Sequence, residues 1–488
     1  MIEKLYRFPP RYGPEWGSGG IFGLRYHRGV LYFTVAFEAE AHFISDETHR
    51  VYRFEKAGYL PTSGGDTYNA VDAVDEYIYF GGWVHAPARY AGRRGRGGII
   101  LFYDKFSHVH SYNVAEDKVE LLWKEGIGHE SRWAGEVSDI IYDPINDRLL
   151  LARGDGHENL GIYSLDRRGG KAVLLSDKTS LKGSLLSDYA CFDHTASWRE
   201  GVRAIQCLDL VEDRLETFQI DYAKNSIDYN IAFFTQSGCA ISAYGKYIHF
   251  VRGGVLIGNP IAGEDMTFYR LFDFGLSGYG PLRTVALPVG GGILTAFNAY
   301  THGILYPRTE EEKMFAEATN RIVGPTVLLY ITPPQAKIVA TLGARVTSIE
   351  KVGDKLLLGT STTANYGALD AGPVDAGWKD VLAVDTDILF RDPSPATFVI
   401  SGSQVLDMAW GGIPLYGYRN PKLVISASRD NTLTVYTYDI SIPPLQAEED
   451  KLKIARGRNV IDLSSFKGIV SFKLEVEDEG MRAKIVLE

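Results

Sequence analysis

Cysteine and long apolar runs are both scarce in this sequence. The three cysteines, Cys191, Cys207 and Cys239, are too few and too unpatterned for a disulfide framework or an all-cysteine metal site, so we expect them in the core. No run approaches the ~18 apolar residues that a membrane-spanning helix requires. The first residues, MIEKLYRFPPRYGPEW, contain no apolar signal segment. These absences predict a soluble, cytoplasmic protein with no membrane partner.

Positive charge is also in short supply. The 51 Lys and Arg against 61 Asp and Glu give a net charge of −10, which disfavours general binding to nucleic acid. Arg89, Arg93, Arg94 and Arg96, interspersed with glycine and Tyr90, form a small RGG-like segment, which we interpret as a solvated loop. The sequence lacks a Walker loop, a Rossmann turn after a strand and a GxSxG elbow, and this disfavours nucleotide-driven and ordinary serine-hydrolase chemistry. Scarce methionine and glutamine indicate a thermophilic host.

The residues that are abundant indicate β-structure. With 52 Gly and 29 Tyr, the composition favours many short strands joined by tight turns. A chain of 488 residues exceeds the usual size of one single-core domain, so it contains either several domains or one large repeat architecture.

A recurring unit favours the repeat architecture. The unit consists of a glycine-containing turn, an apolar strand, a short turn and a stiffer second strand. The spacing leaves room for one degenerate unit, with Asp188 to Phe192 as its first strand. This predicts an all-β fold, a single large β-propeller of eight four-stranded blades, with seven as the alternative. The second strands of the other seven units are Val30 to Ala36, Glu76 to Gly82, Arg148 to Gly154, Lys246 to Arg252, Gly292 to Asn298, Lys355 to Ser361 and Lys422 to Ser428.

We assign residues 1–465 to the propeller and residues 466–488 to a C-terminal β-hairpin that packs on it or closes it. The clearest repeat is the stretch from Pro421 to Asp439, which reads as the inner hairpin of one blade. Residues 307–321 read as a short helical insertion with a capping pattern. The first strand after Met1 is the other candidate for closing the ring.

Polar residues concentrate in loops that a propeller brings to one end of its central channel. Asp155, His157 and Glu158 combine acid, imidazole and flexible backbone in one turn, as general acid/base catalysis requires. These residues can equally form the turn for backbone reasons alone, without a catalytic role. The candidates for ligand binding are Arg283, Arg345, Arg429, Asp430 and Asn298.

Histidines are enriched in the same loops. His85, His157, His194 and His302 come from different units and could supply imidazole ligands to a divalent transition metal, which is the candidate cofactor. No HExxH or HxH spacing supports this hypothesis locally. The alternative, which we favour, is that these histidines hydrogen-bond loop backbone and line a wet channel.

The repeats, the tail and the opening FPPRYGPEWGSGG resemble those of a conserved archaeal family known only as a domain of unknown function. The resemblance implies a propeller-like fold and brings no catalytic motif. More loosely, the segment ASRDNTLTVYTYD is similar to WD40 repeats, although the other units lack the GH and WD pairs of that family.

Two functions are therefore open. The first is a binding or scaffold propeller that holds a protein or a small polar ligand at the channel mouth. The second is a metal-dependent enzyme of the lyase, oxygenase or hydrolase type at the same place, which rests on fold analogy.

Overall fold

The computed structural model describes residues 2–9, 20–36, 38–54, 63–85, 105–129, 132–197, 200–222, 235–299, 310, 322–361, 378–443, 445 and 447–488. In these residues the chain is all-β and consists mainly of four-stranded antiparallel sheets that follow one another in sequence. Tight turns connect the paired strands of each hairpin. For example, Arg28-Gly29 and Tyr244-Gly245 have positive φ at both positions, which matches the twist of the flanking strands.

Seven sheets occupy residues 21–385, and the strand β1 (Ile2–Phe8) joins the last of them as its fourth strand. Sheet 1 contains β2 (Ile21–His27), β3 (Val30–Val35), β4 (Glu40–Ile44) and β5 (His49–Arg53). In sheet 2, β6 (Ser63–Gly65) and β7 (Val71–Val74) both pair with β8 (Tyr77–His85), followed by β9 (Phe106–Asn113) and β10 (Lys118–Gly126). Sheet 3 contains β11 (Glu136–Asp143), β12 (Arg148–Asp155), β13 (Gly161–Asp166) and β14 (Val173–Ser176).

The remaining four sheets of this series have the same form. Sheet 4 contains β15 (Gly183–Leu186), β16 (Tyr189–Thr195), β17 (Val202–Asp209) and β18 (Arg214–Gln219). Sheet 5 contains β19 (Ser237–Ala243), β20 (Lys246–Val251), β21 (Gly254–Gly258) and β22 (Thr267–Arg270). Sheet 6 contains β23 (Ala286–Val289), β24 (Gly292–Phe297), β25 (Thr326–Thr332) and β26 (Gln335–Leu342). Sheet 7 contains β27 (Arg345–Val352), β28 (Lys355–Ser361), β29 (Lys379–Asp385) and β1.

The first strands of these sheets contact one another in order. β2 contacts β7, β7 contacts β11, and the contacts continue through β15, β19 and β23 to β27, which contacts β2 again. A cluster of buried apolar side chains lies between each neighbouring pair of sheets. Between sheets 1 and 2, for example, Tyr32, Phe43 and Phe80 pack together. The sheets are therefore packed face to face in sequence.

The last part of the chain forms two further sheets. Their strands are β30 (Ala396–Ser401), β31 (Trp410–Pro414), β32 (Lys422–Ala427), β33 (Asn431–Tyr438), β34 (Glu448–Ile454), β35 (Gly457–Asp462), β36 (Ile469–Leu474) and β37 (Arg482–Leu487). Sheet 8 has the order β30-β37-β32-β35 and sheet 9 the order β31-β36-β33-β34. Short helices are α1 (Gly402–Val405) and the 3₁₀ turns Pro260–Ala262 and Thr386–Phe390.

Sheets 8 and 9 share a core and lie against sheet 5. Phe398 and Ile485 from sheet 8 pack with Trp410 and Phe472 from sheet 9 in one buried cluster. The backbones of Asp273 and Gly411 exchange hydrogen bonds in both directions. Side-chain packing and backbone pairing thus hold the C-terminal sheets to the rest of the chain.

The first six predicted second strands are confirmed. They are β3, β8, β12, β20, β24 and β28. The degenerate unit is sheet 4, although the segment from Asp188 to Phe192 belongs to its second strand. The predicted eighth unit, which contains Pro421 to Asp439, was wrong. Its strands β32 and β33 lie in different sheets and do not form a hairpin. The C-terminal hairpin was wrong for the same reason, since β36 belongs to sheet 9 and β37 to sheet 8. The predicted helix at 307–321 lies, apart from Glu310, outside the described residues.

All three cysteines are buried, as predicted. Cys191 and Cys207 are direct cross-strand partners in β16 and β17, and they form a disulfide that the sequence analysis did not anticipate. Cys239 is a free buried thiol, and its burial raises its pKa to about 12.

Two histidines are buried between sheets 1 and 2. The Nδ1 atoms of His108 and His110 lie 3.0 Å apart, and His110 Nε2 lies 3.2 Å from the hydroxyl of Tyr52. Burial lowers the pKa of His108 to about 3, and burial together with His108 holds the pKa of His110 well below its usual value. Both side chains are therefore neutral in the folded protein at ordinary pH.

We expect this pair to make the fold sensitive to acid. A histidine whose pKa is depressed by folding takes up its proton in the unfolded chain first, so its contribution to stability is lost as the pH falls below about 6.5. For His108 this amounts to about 3 kcal/mol at pH 4.5. In urea unfolding, the deficit of His108→Gln against wild type should therefore shrink by about that amount between pH 7.5 and pH 4.5. The same substitution at exposed His129 is the control for the replacement itself, and a constant deficit for His108→Gln would contradict the assignment.

Candidate functional site

Charged and aromatic side chains from sheets 2, 3 and 6 meet at one end of the first strands. We call this group the Lys105 cluster. Trp83 lies in β8, Lys105 directly precedes β9, Glu136 is the first residue of β11 and Asp155 the last of β12. The full set is Thr67, Tyr68, Trp83, Lys105, Trp133, Glu136, Asp155, His157 and Arg283. Each residue lies in a strand end or in a loop next to one, so the strands fix their positions.

Lys105 lies between two indole rings. Its Nζ is 3.6 Å from the ring centroid of Trp83 and 4.3 Å from that of Trp133, within the range of cation–π interaction. The side chain is only 5% exposed. Burial lowers the pKa of Lys105 to about 8, and the nearby charges of Asp155 and Glu136 oppose this shift. The amine therefore loses its proton at a much lower pH than an exposed lysine does.

Two carboxyl groups face each other near this amine. Glu136 and Asp155 are direct cross-strand partners in β11 and β12. Burial, followed by the charge of Asp155, raises the pKa of Glu136 well above its usual value. A short hydrogen-bonded chain fixes the Glu136 carboxyl: Trp83 Nε1 donates to Thr67 Oγ1 at 3.3 Å, and Thr67 Oγ1 donates to Glu136 Oε1 at 2.5 Å. A carboxyl group with a raised pKa can act as a proton donor near neutral pH.

Arg283 and Tyr68 complete the polar network around Asp155. Arg283 Nη2 donates to the Tyr68 hydroxyl at 2.9 Å, and that hydroxyl donates to Asp155 Oδ2 at 3.0 Å. The guanidinium lies 4.4 Å from the centroid of the Tyr68 ring and its Nη2 lies 3.6 Å from Asp155 Oδ2. Burial raises the pKa of Tyr68 well above its usual value, so the phenol keeps its proton.

The predicted acid/base turn is only partly assembled. Asp155 lies inside the cluster. His157 is exposed at its rim, where its ring meets Trp133 edge-on with 4.0 Å between centroids. Partial burial and then the charge of Lys105 lower the pKa of His157. Glu158 instead forms an ion pair with Arg132 at 2.5 Å.

Only one of the predicted ligand-binding residues lies in the Lys105 cluster. Arg283 is in the cluster, whereas the Asn298 amide is bonded to the backbones of Leu282 and Val346. Arg345 is fully buried at the start of β27. Placing Arg429 and Asp430 at the channel mouth was wrong, because they lie between β32 and β33 of the C-terminal sheets.

The metal hypothesis receives no support from the described part of the chain. His302 and the side chain of His85 lie outside the described residues. His194 Nδ1 is 3.4 Å from the carbonyl of Thr179. Among the residues that the structure describes, no group of three or more His, Cys, Asp and Glu side chains could hold a metal ion.

Lys105, Tyr68, Thr67 and the two tryptophans were missed. The available signal was positional: like Glu136 and Asp155, Trp83 and Lys105 stand near strand ends that face the same end of the sheets. A lysine next to a strand is usually solvated, so sequence alone did not single it out.

The fold is thus an all-β arrangement of four-stranded sheets in sequence with a polar cluster at one end of the first strands. The chain belongs to the family described as uncharacterized proteins conserved in archaea (DUF2139), which it matches over residues 31–369. This confirms the resemblance noted from the sequence. No curated protein matches the chain. No helix among the described residues is long and apolar enough to cross a membrane.

Solved structures of β-propeller proteins are similar to this chain. A streptogramin B lyase is 11% identical with a TM-score of 0.41, covering 78% of this chain and 97% of the lyase. Sqt1 of Saccharomyces cerevisiae is 10% identical with a TM-score of 0.39, covering 78% of this chain and 98% of Sqt1. Oligogalacturonate lyase from Vibrio parahaemolyticus is 10% identical with a TM-score of 0.35, covering 55% of this chain and 71% of the lyase.

Proposed function

We propose that this protein binds a small polar ligand carrying one negative charge at the mouth of a central channel, over the Lys105 cluster. The observation that carries the proposal is the Lys105 ammonium, which is held between Trp83 and Trp133 and faces the carboxyl pair Glu136 and Asp155. Perturbed titratable groups that converge with aromatic walls are the usual marks of a small-molecule site.

The charge balance favours an anion. Lys105 and Arg283 are cationic, whereas Glu136 retains its proton to unusually high pH and so does not offset them. Two cations therefore meet at most one carboxylate, that of Asp155, which leaves a net positive charge near neutrality. The hydroxyl of Tyr68 and the carboxyl groups provide hydrogen-bond partners for ligand hydroxyls. Small hydroxy acids, oxo acids and sugar acids combine one negative charge with hydroxyl or carbonyl oxygens.

Acid/base catalysis on such a ligand is the second candidate function. It is favoured by one observation: burial raises the pKa of Glu136 well above its usual value beside its cross-strand neighbour Asp155. The metal-dependent alternative requires His85 and His302. Elemental analysis of protein purified without a histidine tag or chelator tests that alternative directly.

Calorimetric titration with gluconate, glycerate and pyruvate tests ligand binding, with glucitol, glycerol and acetone as the matched neutral compounds. We expect at least one acid to bind and its neutral counterpart not to bind. Lys105→Met should weaken that binding by about tenfold or more, because it removes a buried charge while keeping the packing between the indoles.

Lys124→Met is the matched control. Lys124 Nζ also lies over an aromatic ring, 5.3 Å from the centroid of Phe106, but on the exposed outer strand β10. This variant should bind as tightly as wild type. Equal affinity for acids and neutral compounds, or unchanged affinity in Lys105→Met, would refute the proposal.

We further propose that sheets 1 to 7 are the blades of a seven-bladed propeller closed by β1, and that residues 396–488 form a β-sandwich mounted on it. The pairing of β1 with β29 and the contact between β2 and β27 support this closure. A protein partner on the loop-rich face, a cytoplasmic location and a thermophilic host stay predictions.

A further inference from the structure

We propose that the Lys105 amine forms an imine with the carbonyl carbon of its ligand, so that the site takes small aldehydes or ketones bearing a carboxylate, such as 2-oxo acids. This inference rests on the proposed function and specifies its ligand class. It follows from the position of Nζ between two indole faces, in the same cluster as the cross-strand pair Glu136 and Asp155.

The surroundings of Lys105 are those of a nucleophilic lysine. Desolvation in an apolar pocket and the presence of another cation both promote the neutral, nucleophilic form of an amine. Lys105 is subject to both effects, because it is 5% exposed and the charge of Arg283 adds to the effect of burial. With a pKa of about 8, roughly a tenth of the side chain is neutral at pH 7. An exposed lysine has far less of the reactive form at the same pH.

Glu136 can handle the protons of the reaction. When the amine nitrogen bonds to the carbonyl carbon, the π electrons move to oxygen, which takes a proton from the Glu136 carboxylic acid. The nitrogen then returns a proton to Glu136, giving a carbinolamine. Glu136 next protonates the hydroxyl, water leaves and the nitrogen lone pair forms the C=N bond. The products are a protonated imine, a Glu136 carboxylate and water, and no oxidant or reductant is consumed.

The other charged groups suit this product. Asp155 is the cross-strand neighbour of Glu136, so a second carboxyl group lies in the cluster with the iminium. Arg283 supplies positive charge for the ligand carboxylate. His157 is exposed at the rim, where the cluster meets solvent.

The chain contains internal controls for this reactivity. Lys182 is also buried, but its Nζ donates to the carbonyls of Tyr68 and Ser138 and lies 3.8 Å from Asp139. Lys379 is buried and forms an ion pair with Glu38 at 2.8 Å. Both amines contact carbonyl or carboxylate oxygens, so they test whether burial alone is enough for reaction.

Reductive trapping of the intact protein tests the inference. The protein is incubated with pyruvate or glyoxylate and sodium cyanoborohydride, and the labelled lysines are located by peptide mass spectrometry. We expect one adduct per chain at Lys105, formed about tenfold or more faster than at Lys124, Lys182 or Lys379. The rate at Lys105 should rise with pH and level off above about pH 8. Lys105→Arg should retain the fold and lose this adduct.

Parallel titration of pyruvate without reductant separates the two proposals. If pyruvate binds and the label is absent or spread evenly over the exposed lysines, the imine is refuted while ligand binding stands. If the panel of acids neither binds nor labels Lys105, both proposals fail.

Discussion

Removal of residues 1–9 is expected to lower the free energy of unfolding by about 5 kcal/mol or more. The strand β1 forms six register pairs with β29, from Ile2 opposite Val384 to Phe8 opposite Lys379. Its loss therefore strips one side of a central strand and leaves the backbone of β29 as an unpaired edge.

Side chains add to this backbone pairing. Tyr6 and Phe8 contact Phe33 of sheet 1, with ring centroids 6.2 and 5.7 Å apart. Arg7 forms an ion pair with Asp380 at 3.1 Å and lies over the ring of Trp378. β1 thus holds sheets 7 and 1 together, and its removal opens the boundary between them.

Urea unfolding of the truncated and full-length proteins measures the effect. A matched pair of double variants locates its source within the strand. Tyr6→Ser with Phe8→Ser should cost about 2 to 4 kcal/mol, because both rings pack on sheet 1. Ile2→Ser with Leu5→Ser should cost less than about 1 kcal/mol, because these side chains are 50% and 40% exposed. Truncation that leaves the unfolding midpoint in place would show that β1 is dispensable and would contradict the closure that we propose.

Most of the strands were predictable because they are locally encoded. A segment such as Lys355–Ser361, which is apolar and bounded by turn residues, shows its strand character in its own composition. The partner of a strand is not encoded in this way. β32 and β33 have the composition and spacing of a blade hairpin, yet they do not pair with each other. β32 pairs with β37 and β33 with β36, and both partners lie more than twenty residues further along the chain. Long-range pairing depends on which apolar faces bury each other, and a period-two pattern does not record that.

The candidate site was also predictable only in part. Asp155 and Arg283 were found because polar residues at strand ends converge in repeat folds. The role of Lys105 was not found because it depends on Trp83 and Trp133, which come from different sheets and meet only after folding. The same limit explains the cysteines: nothing in their spacing indicated that Cys191 and Cys207 would be cross-strand neighbours.

Asn69→Ala is expected to lower the free energy of unfolding by about 3 kcal/mol or more. The Asn69 side chain comes from sheet 2 and binds three other sheets. Its Oδ1 accepts a hydrogen bond from the Gly23 amide at 2.8 Å, and its Nδ2 donates to the carbonyls of Thr347 at 2.9 Å and Thr284 at 3.4 Å. Asn69 is 4% exposed, so these groups lose their partner where water does not readily replace it.

Backbone conformation adds a second term, since Asn69 has a φ of 61°. Asparagine tolerates this left-handed region, alanine does not, and glycine adopts it freely. Asn69→Gly therefore isolates the loss of the three hydrogen bonds, and it should be less destabilising than Asn69→Ala by about 1 kcal/mol.

Asn459→Ala is the control for the loss of an asparagine amide. Among the described residues, the Asn459 side chain bonds only to the nearby backbone of Ala455 and Gly457, and the residue is partly exposed. Its replacement should cost about 1 kcal/mol, because water can reach the freed groups. If urea unfolding gave the same cost for Asn69→Gly and Asn459→Ala, the bonds of Asn69 to sheets 1, 6 and 7 would be no stronger than those of a surface turn. A clearly larger cost at Asn69 would identify this one side chain as a principal link among four sheets at the centre of the fold.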